Sequence, residues 1–103
     1  MTTHMTFDES LRILIREKLA SGGLARNGMH GVSGGPGKGQ ICVACGITIG
    51  ESQFVMEGIG SGEHRKALQF HTVCFSIWDS ERKVFRRSQA SRQRTRTSDH
   101  LTR

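Results

Sequence analysis

Three cysteines and one histidine fall into two close pairs, Cys42-x-x-Cys45 and His71-x-x-Cys74, with 25 residues between the pairs. Thiolate sulfur and imidazole nitrogen are the donors that zinc takes in a tetrahedron, at bond lengths of about 2.0–2.3 Å. A C-x2-C pair in a tight turn can place both sulfurs on one ion while backbone N–H groups turn inward toward them. Gly46 follows Cys45 directly and supplies a residue that accepts the positive φ of such a turn. His71 and Cys74, at i and i+3, share a face if they sit in the first turn of a helix. The positive end of the helix dipole would then lie near the thiolates. The pattern predicts one structural Zn²⁺ bound by Cys42, Cys45, His71 and Cys74.

Other readings of these residues fit less well. Three is an odd number of cysteines, which suits a disulfide framework poorly. A redox C-x2-C belongs at the start of a helix in a thioredoxin-like setting, whereas this one stands among glycines and short apolar runs. Buried free thiols beside an incidental histidine would not explain why both pairs share one spacing. His64 is the rival to His71 as fourth ligand, but its distance from Cys74 lacks the two-residue gap; His4, His30 and His100 are expected at the surface. Four protein ligands close a zinc tetrahedron and leave no position for water or substrate. Neither Glu51 nor Glu63 is spaced as a general base beside the metal. No enzyme and no small-molecule substrate is expected.

Phe7, Leu11, Leu14, Ile15 and Leu19 recur at helical spacing over about residues 6–20, with Glu9, Arg12, Arg16 and Glu17 on the other side. Thr6 and Glu9 form a capping-box pattern, and Gly22-Gly23 is a stop signal. The apolar stripe is expected to pack on the metal-binding domain, with a dimer seam as the alternative. Residues 21–40 hold eight glycines and Pro36 and read as a loop. Within it Gly34-Gly35-Pro36-Gly37-Lys38-Gly39 fails as a phosphate-binding P-loop. The first required glycine falls on Val32, and Gly39 stands where Ser or Thr would hold Mg²⁺. A short strand is expected after the first cysteine pair, a second at 53–57, a glycine-rich loop at 58–62, and a third strand at 68–70 running into His71. A helix is expected from Thr72 to about Lys83. Phe70, Phe75 and Trp78 read as core around the ligands rather than as a base-stacking platform.

Charge is unevenly spread. The net charge is +6, yet residues 1–85 balance to +1, and residues 86–103 carry six Arg against one Asp. That last stretch of Arg, Ser, Thr and Gln has almost nothing to bury and reads as a disordered basic tail. The expected organisation is an N-terminal helix at 1–22, a glycine-rich linker at 23–40, a Cys3His zinc-binding domain at 41–85 and the tail at 86–103. The fold class is small α+β, a zinc-stabilised finger of short β-hairpins and a helix. With only 35% apolar residues, a core this small needs a metal to supplement it. The first twenty residues carry Asp8, Glu9, Arg12 and Arg16 and hold no signal-peptide-like run, so a reducing cytoplasm and no membrane are expected.

The segment Cys42–Cys74 resembles a single treble-clef or LIM-like Cys3His finger, with a knuckle, a hairpin and H-x2-C entering a helix. The wider frame, about residues 8–83, resembles a group of small proteobacterial zinc-binding proteins. It is carried by Lys18-Leu19-Ala20-Ser21-Gly22, Gly34-Gly35-Pro36-Gly37, Cys42-x-x-Cys45-Gly46, Leu68-Gln69-Phe70-His71-x-x-Cys74-Phe75, Trp78 and Glu81-Arg82. The resemblance implies a fold and a metal and brings no activity with it. A LIM domain continues into a second zinc module with a shorter spacer, and this chain has no further cysteine. Two functions remain open. Nucleic acid could be contacted through Arg86, Arg87, Arg92, Arg94 and Arg96, whose side chains can neutralise phosphates. Alternatively, the finger is a protein–protein adaptor and the tail serves only solubility.

Overall fold

A computed structural model describes residues 6–62 and 65–101, with side chains through Ala90. Helix α1 spans Phe7–Ser21 and strand β1 Met29–Pro36. Strands β2 (Phe54–Gly60) and β3 (Ala67–His71) follow, then helix α2 (Thr72–Leu101). The strands form one antiparallel sheet in the order β1-β2-β3. Among the described residues no helix is long and apolar enough to cross a membrane.

The capping box forms at the start of α1. Thr6 Oγ1 accepts from the Glu9 N–H at 3.1 Å, and the Glu9 carboxylate accepts from the Thr6 N–H at 2.9 Å. At the other end Gly22 takes φ +85°, which only glycine adopts without strain. Arg26 reaches back and donates to the Leu19 and Ala20 carbonyls at 2.8 and 3.0 Å, satisfying acceptors that the helix end leaves free.

Two expectations are corrected here. Residues 29–36, read as part of a loop, are strand β1, and β2 continues through Gly58 and Gly60. Glycine is a poor strand residue by itself, but here it makes room for large neighbours across the ladder. The Phe54 ring lies across Gly34, where a Cβ would come within 2.7 Å of it, and a Cβ on Gly58 would sit 3.0 Å from the His30 carbonyl. The second correction is the end of the last helix, which is expected near Lys83 and lies at Leu101 as the end of α2. No Gly or Pro interrupts residues 72–101, and Arg, Gln and Ala are good helix formers.

The core lies between the helices and the sheet. Leu11, Ile15 and Leu19 of α1 join Ile77 and Trp78 of α2, Val55, Leu68 and Phe70 of the sheet, and Ile49. Thus the stripe of α1 packs within its own chain. Phe70 stacks on Trp78 with centroids 4.7 Å apart, and Phe75 meets Phe70 edge-on at 5.8 Å. These aromatics are core. The Trp78 indole N–H donates to the Ala25 carbonyl at 2.8 Å, fixing the loop after α1 to α2.

One buried charge clamps the helices. Glu81 is 6% exposed and receives Arg12 at 2.6 Å and Arg16 at 2.9 Å, residues one turn apart on α1. Burial pushes the Glu81 carboxyl up, but hydrogen bonds from Arg16 and Arg12 outweigh it and hold the group below its ordinary value. A depressed carboxylate contributes its full stability above about pH 4.3, the ordinary glutamate value, and loses it as pH falls through the lower folded value. Replacing Glu81 with Gln should cost about 1–2 kcal/mol at neutral pH, near the low end for a charged hydrogen-bonded group because the arginines remain partly solvated. Urea unfolding of both proteins should show that difference narrowing below about pH 4.

Candidate metal centre

The first ligand pair lies in an excursion of the chain between β1 and β2. Gly37 and Gln53 close its base, with the Gly37 N–H donating to the Gln53 carbonyl at 2.8 Å. Gly37 has a steric reason to be glycine, since a Cβ there would collide with the Gly50 carbonyl and the Ile49 side chain. Above this base the chain pairs with itself. Gly39 N–H donates to Ile49 O at 3.0 Å, Ile49 N–H to Gln40 O at 2.7 Å and Cys42 N–H to Ile47 O at 3.1 Å. At the tip Gly46 N–H donates to the Cys42 carbonyl at 2.8 Å, and Gly46 holds φ +78°. The expected knuckle forms, although the strand expected at 47–50 is reduced to one bridge, Ile41 with Thr48.

Two further contacts fix the knuckle to the body. The Val43 N–H donates to the Gln69 carbonyl of β3 at 2.9 Å. The Lys18 ammonium, from α1, donates to the Ala44 carbonyl at 2.7 Å and the Val43 carbonyl at 3.3 Å. Those carbonyls lie between the two cysteines, so Lys18 holds the turn from outside.

The second pair comes from the junction of β3 and α2. His71 is the last residue of β3 and Cys74 the third residue of α2, so the histidine stands one residue before the helix rather than within its first turn. The donor atoms of Cys42, Cys45, His71 and Cys74 all lie within 4.8 Å of one another. His71 Nδ1 is 3.4 Å from Cys45 Sγ and 3.8 Å from Cys74 Sγ. A sulfur–nitrogen edge of a tetrahedron built on zinc bond lengths measures about 3.6 Å, between those two values. His71 Nε2 lies 3.3 Å from the Thr48 carbonyl. Donation of an Nε2 proton there leaves the Nδ1 lone pair directed at the sulfurs, the usual outer support of a metal-bound imidazole.

The thiols perturb one another. Cys42 is pulled down to about 4, chiefly by a hydrogen bond from Cys74, and burial opposes the effect. That same bond, followed by burial, pushes Cys74 up, and burial pushes Cys45 up. The first thiolate is stabilised by its neighbours, and further ones meet like charge in a poorly solvated place. A bound cation relieves that repulsion, and deprotonated ligands are what metal binding requires. Three sulfurs and one nitrogen therefore form a group that can hold a metal ion.

The site opens on one side. Cys42 and Cys74 are buried, whereas Cys45 and His71 are partly exposed at a cavity of about 390 Å³. Phe7, Ile47, Phe54 and Val73, all exposed, line that cavity. His64 and Glu63 lie outside the described residues, as does His4. His30 is exposed and stands 3.4 Å from Ser61 Oγ, apart from the cluster. Arg86 and Arg87 are exposed on α2; the side chains of Arg92, Arg94, Arg96 and His100 lie outside the described set. The supporting roles of Lys18 and Thr48 carry no spacing signal and were not legible before the knuckle was placed. Comparison of the chain with protein-family models, curated proteins and solved structures yields no match.

Replacing Lys18 with Met keeps the aliphatic stem and removes the donor. This variant should lose about 1 kcal/mol of stability and release its metal to a chelator severalfold faster than the parent, as read with a chromogenic chelator. Acidification should also release the metal, because lower pH protonates the thiolates and the imidazole.

Proposed function

We propose that the chain is a structural-zinc module of the treble-clef kind, related to the small proteobacterial proteins it resembles, whose long basic helix contacts nucleic acid in the cytoplasm. Three soft thiolates and one imidazole favour zinc over harder ions that prefer oxygen. The layout of knuckle, hairpin β2–β3 and helix start supports the treble-clef assignment. With four protein donors the ion organises the fold and leaves no open position for catalysis. Its binding energy, on the order of 10 kcal/mol in small fingers, supplements a core drawn from a short chain.

The observation that carries the nucleic-acid reading is the distribution of paired and unpaired charge along α2. Near the metal centre the cations are matched: Asp79 pairs with Arg82 at 2.7 Å and Lys83 at 3.1 Å, and Glu81 takes Arg12 and Arg16. One turn further, exposed Arg86 and Arg87 have no carboxylate partner among the described residues. The sequence then adds Arg92, Arg94 and Arg96 before the single Asp99. Guanidinium groups without carboxylate partners attract polyanions and gain by releasing their counterions.

A second reading has its own observation. The exposed Phe7, Ile47, Phe54 and Val73 surround one cavity beside the metal centre, and an apolar patch of this kind suits an apolar segment of a protein partner.

Fluorescence anisotropy with a labelled duplex and a single-stranded oligonucleotide separates the two. Binding should weaken steeply with salt, and Arg86→Ala with Arg87→Ala should reduce the logarithmic salt slope by about 2. Absence of binding at low salt would overturn the nucleic-acid reading. In that case Phe54→Ser and Ile47→Ser become the informative variants, through loss of a protein partner.

A further inference from the structure

We propose that the cleft between the loop after α1, Gly62 just beyond β2, and the exposed face of α2 is a phosphate-binding groove. It rests on the nucleic-acid reading for the polymer as its source of phosphate. The cleft holds about 520 Å³ and is lined by Arg26, Asn27, Gly62, Phe85, Arg86 and Gln89, together with Ala90. A second depression of about 420 Å³, lined by Arg82, Lys83, Arg86, Arg87 and Ala90, shares Arg86 and Ala90 with it. Among the described residues no carboxylate lines either one.

The chemistry of the lining is that of an anion site. Two guanidinium groups from separate elements and two primary amides line one concavity, and guanidinium matches the oxygens of a phosphate in geometry as well as charge. The walls are fixed before any ligand arrives. Arg26 is held by the Leu19 and Ala20 carbonyls and lies over the Phe85 ring at 4.9 Å. Trp78 anchors Ala25, the residue before it, and the Ser61 N–H donates to the Gly28 carbonyl at 3.0 Å, joining the chain just beyond β2 to the same loop. Asn27 packs over Gly62, where a Cβ would meet the Asn27 amide nitrogen at 2.6 Å. Preorganised donors lose little freedom on binding. The groove extends the contact surface from α2 alone to three elements and gives Arg86 a central place, between the two depressions.

The test uses the full, metal-bound chain and reads the side-chain amide signals of Asn27 and Gln89 by nitrogen–proton NMR. Pyrophosphate and a single-stranded oligonucleotide are the two probes. Gln89→Glu adds a carboxylate to the groove at an exposed position, Arg86→Glu reverses its central charge, and Lys38→Glu is a charge-matched control outside both depressions. Saturable shifts of both amides by the oligonucleotide, with affinity reduced about tenfold or more by Gln89→Glu and Arg86→Glu and within about twofold for Lys38→Glu, are the expected result. Shifts by pyrophosphate, sensitive to Gln89→Glu, without oligonucleotide binding would keep the groove, assign it to small phosphates and overturn the polymer. Oligonucleotide binding that leaves both amides and both groove variants unaffected would overturn the groove while leaving the helix reading intact. No shift with either probe would overturn it as well.

Discussion

The convergence of four donor atoms within 4.8 Å is the constraint on which the other elements depend. It joins the knuckle between β1 and β2 to the point where β3 becomes α2, and so closes a loop of 25 intervening residues over the hairpin. Bringing distant segments together costs chain entropy, and the apolar core contains few large side chains to offset it. An ion held by the four donors would supply that offset at one point. It would also fix the start of α2, because Cys74 lies in its first turn, near the stacked pair of Phe70 and Trp78.

Helix α1 is coupled to this centre by chemistry at both ends. Lys18 holds the carbonyls between the cysteines, and Arg12 and Arg16 meet Glu81 on α2. Between these polar contacts Leu11, Ile15 and Leu19 fill the space against α2 and the sheet. The knuckle therefore has two supports, β3 on one side and α1 on the other. One side of the centre is open, and there the apolar side chains of Phe7, Ile47, Phe54 and Val73 stand in solvent.

Much of this was legible in the residues themselves. The ligand pairs, the capping box, the stop at Gly22 and the third strand entering His71 each rest on a local rule of spacing or capping, and local rules survive folding. Strand β1 was hidden because its identity is non-local. Gly34 becomes strand only because Phe54 lies across it, and no property of residues 29–36 announces that partner. The far end of α2 was not legible for the opposite reason. Beyond Lys83 there is little apolar periodicity to mark a helix, although unbroken helix formers can continue one that has already started. Lys18 has no spacing signal, and only folding brings the knuckle carbonyls beside it.

Metal centre and basic surface share one element. In α2 the cations Arg82 and Lys83 are paired with Asp79, and Arg86 and Arg87 stand farther along with no carboxylate partner among the described residues. The most direct measurement of the central claim is a zinc titration of the reduced, chelator-treated chain, followed by near-ultraviolet circular dichroism of Trp78 with metal content determined on the same sample. Recovery of the tryptophan signal should be complete at one equivalent of zinc and abolished in Cys74→Ser. A chain that unfolds cooperatively with a native tryptophan signal in the absence of any metal would contradict the account.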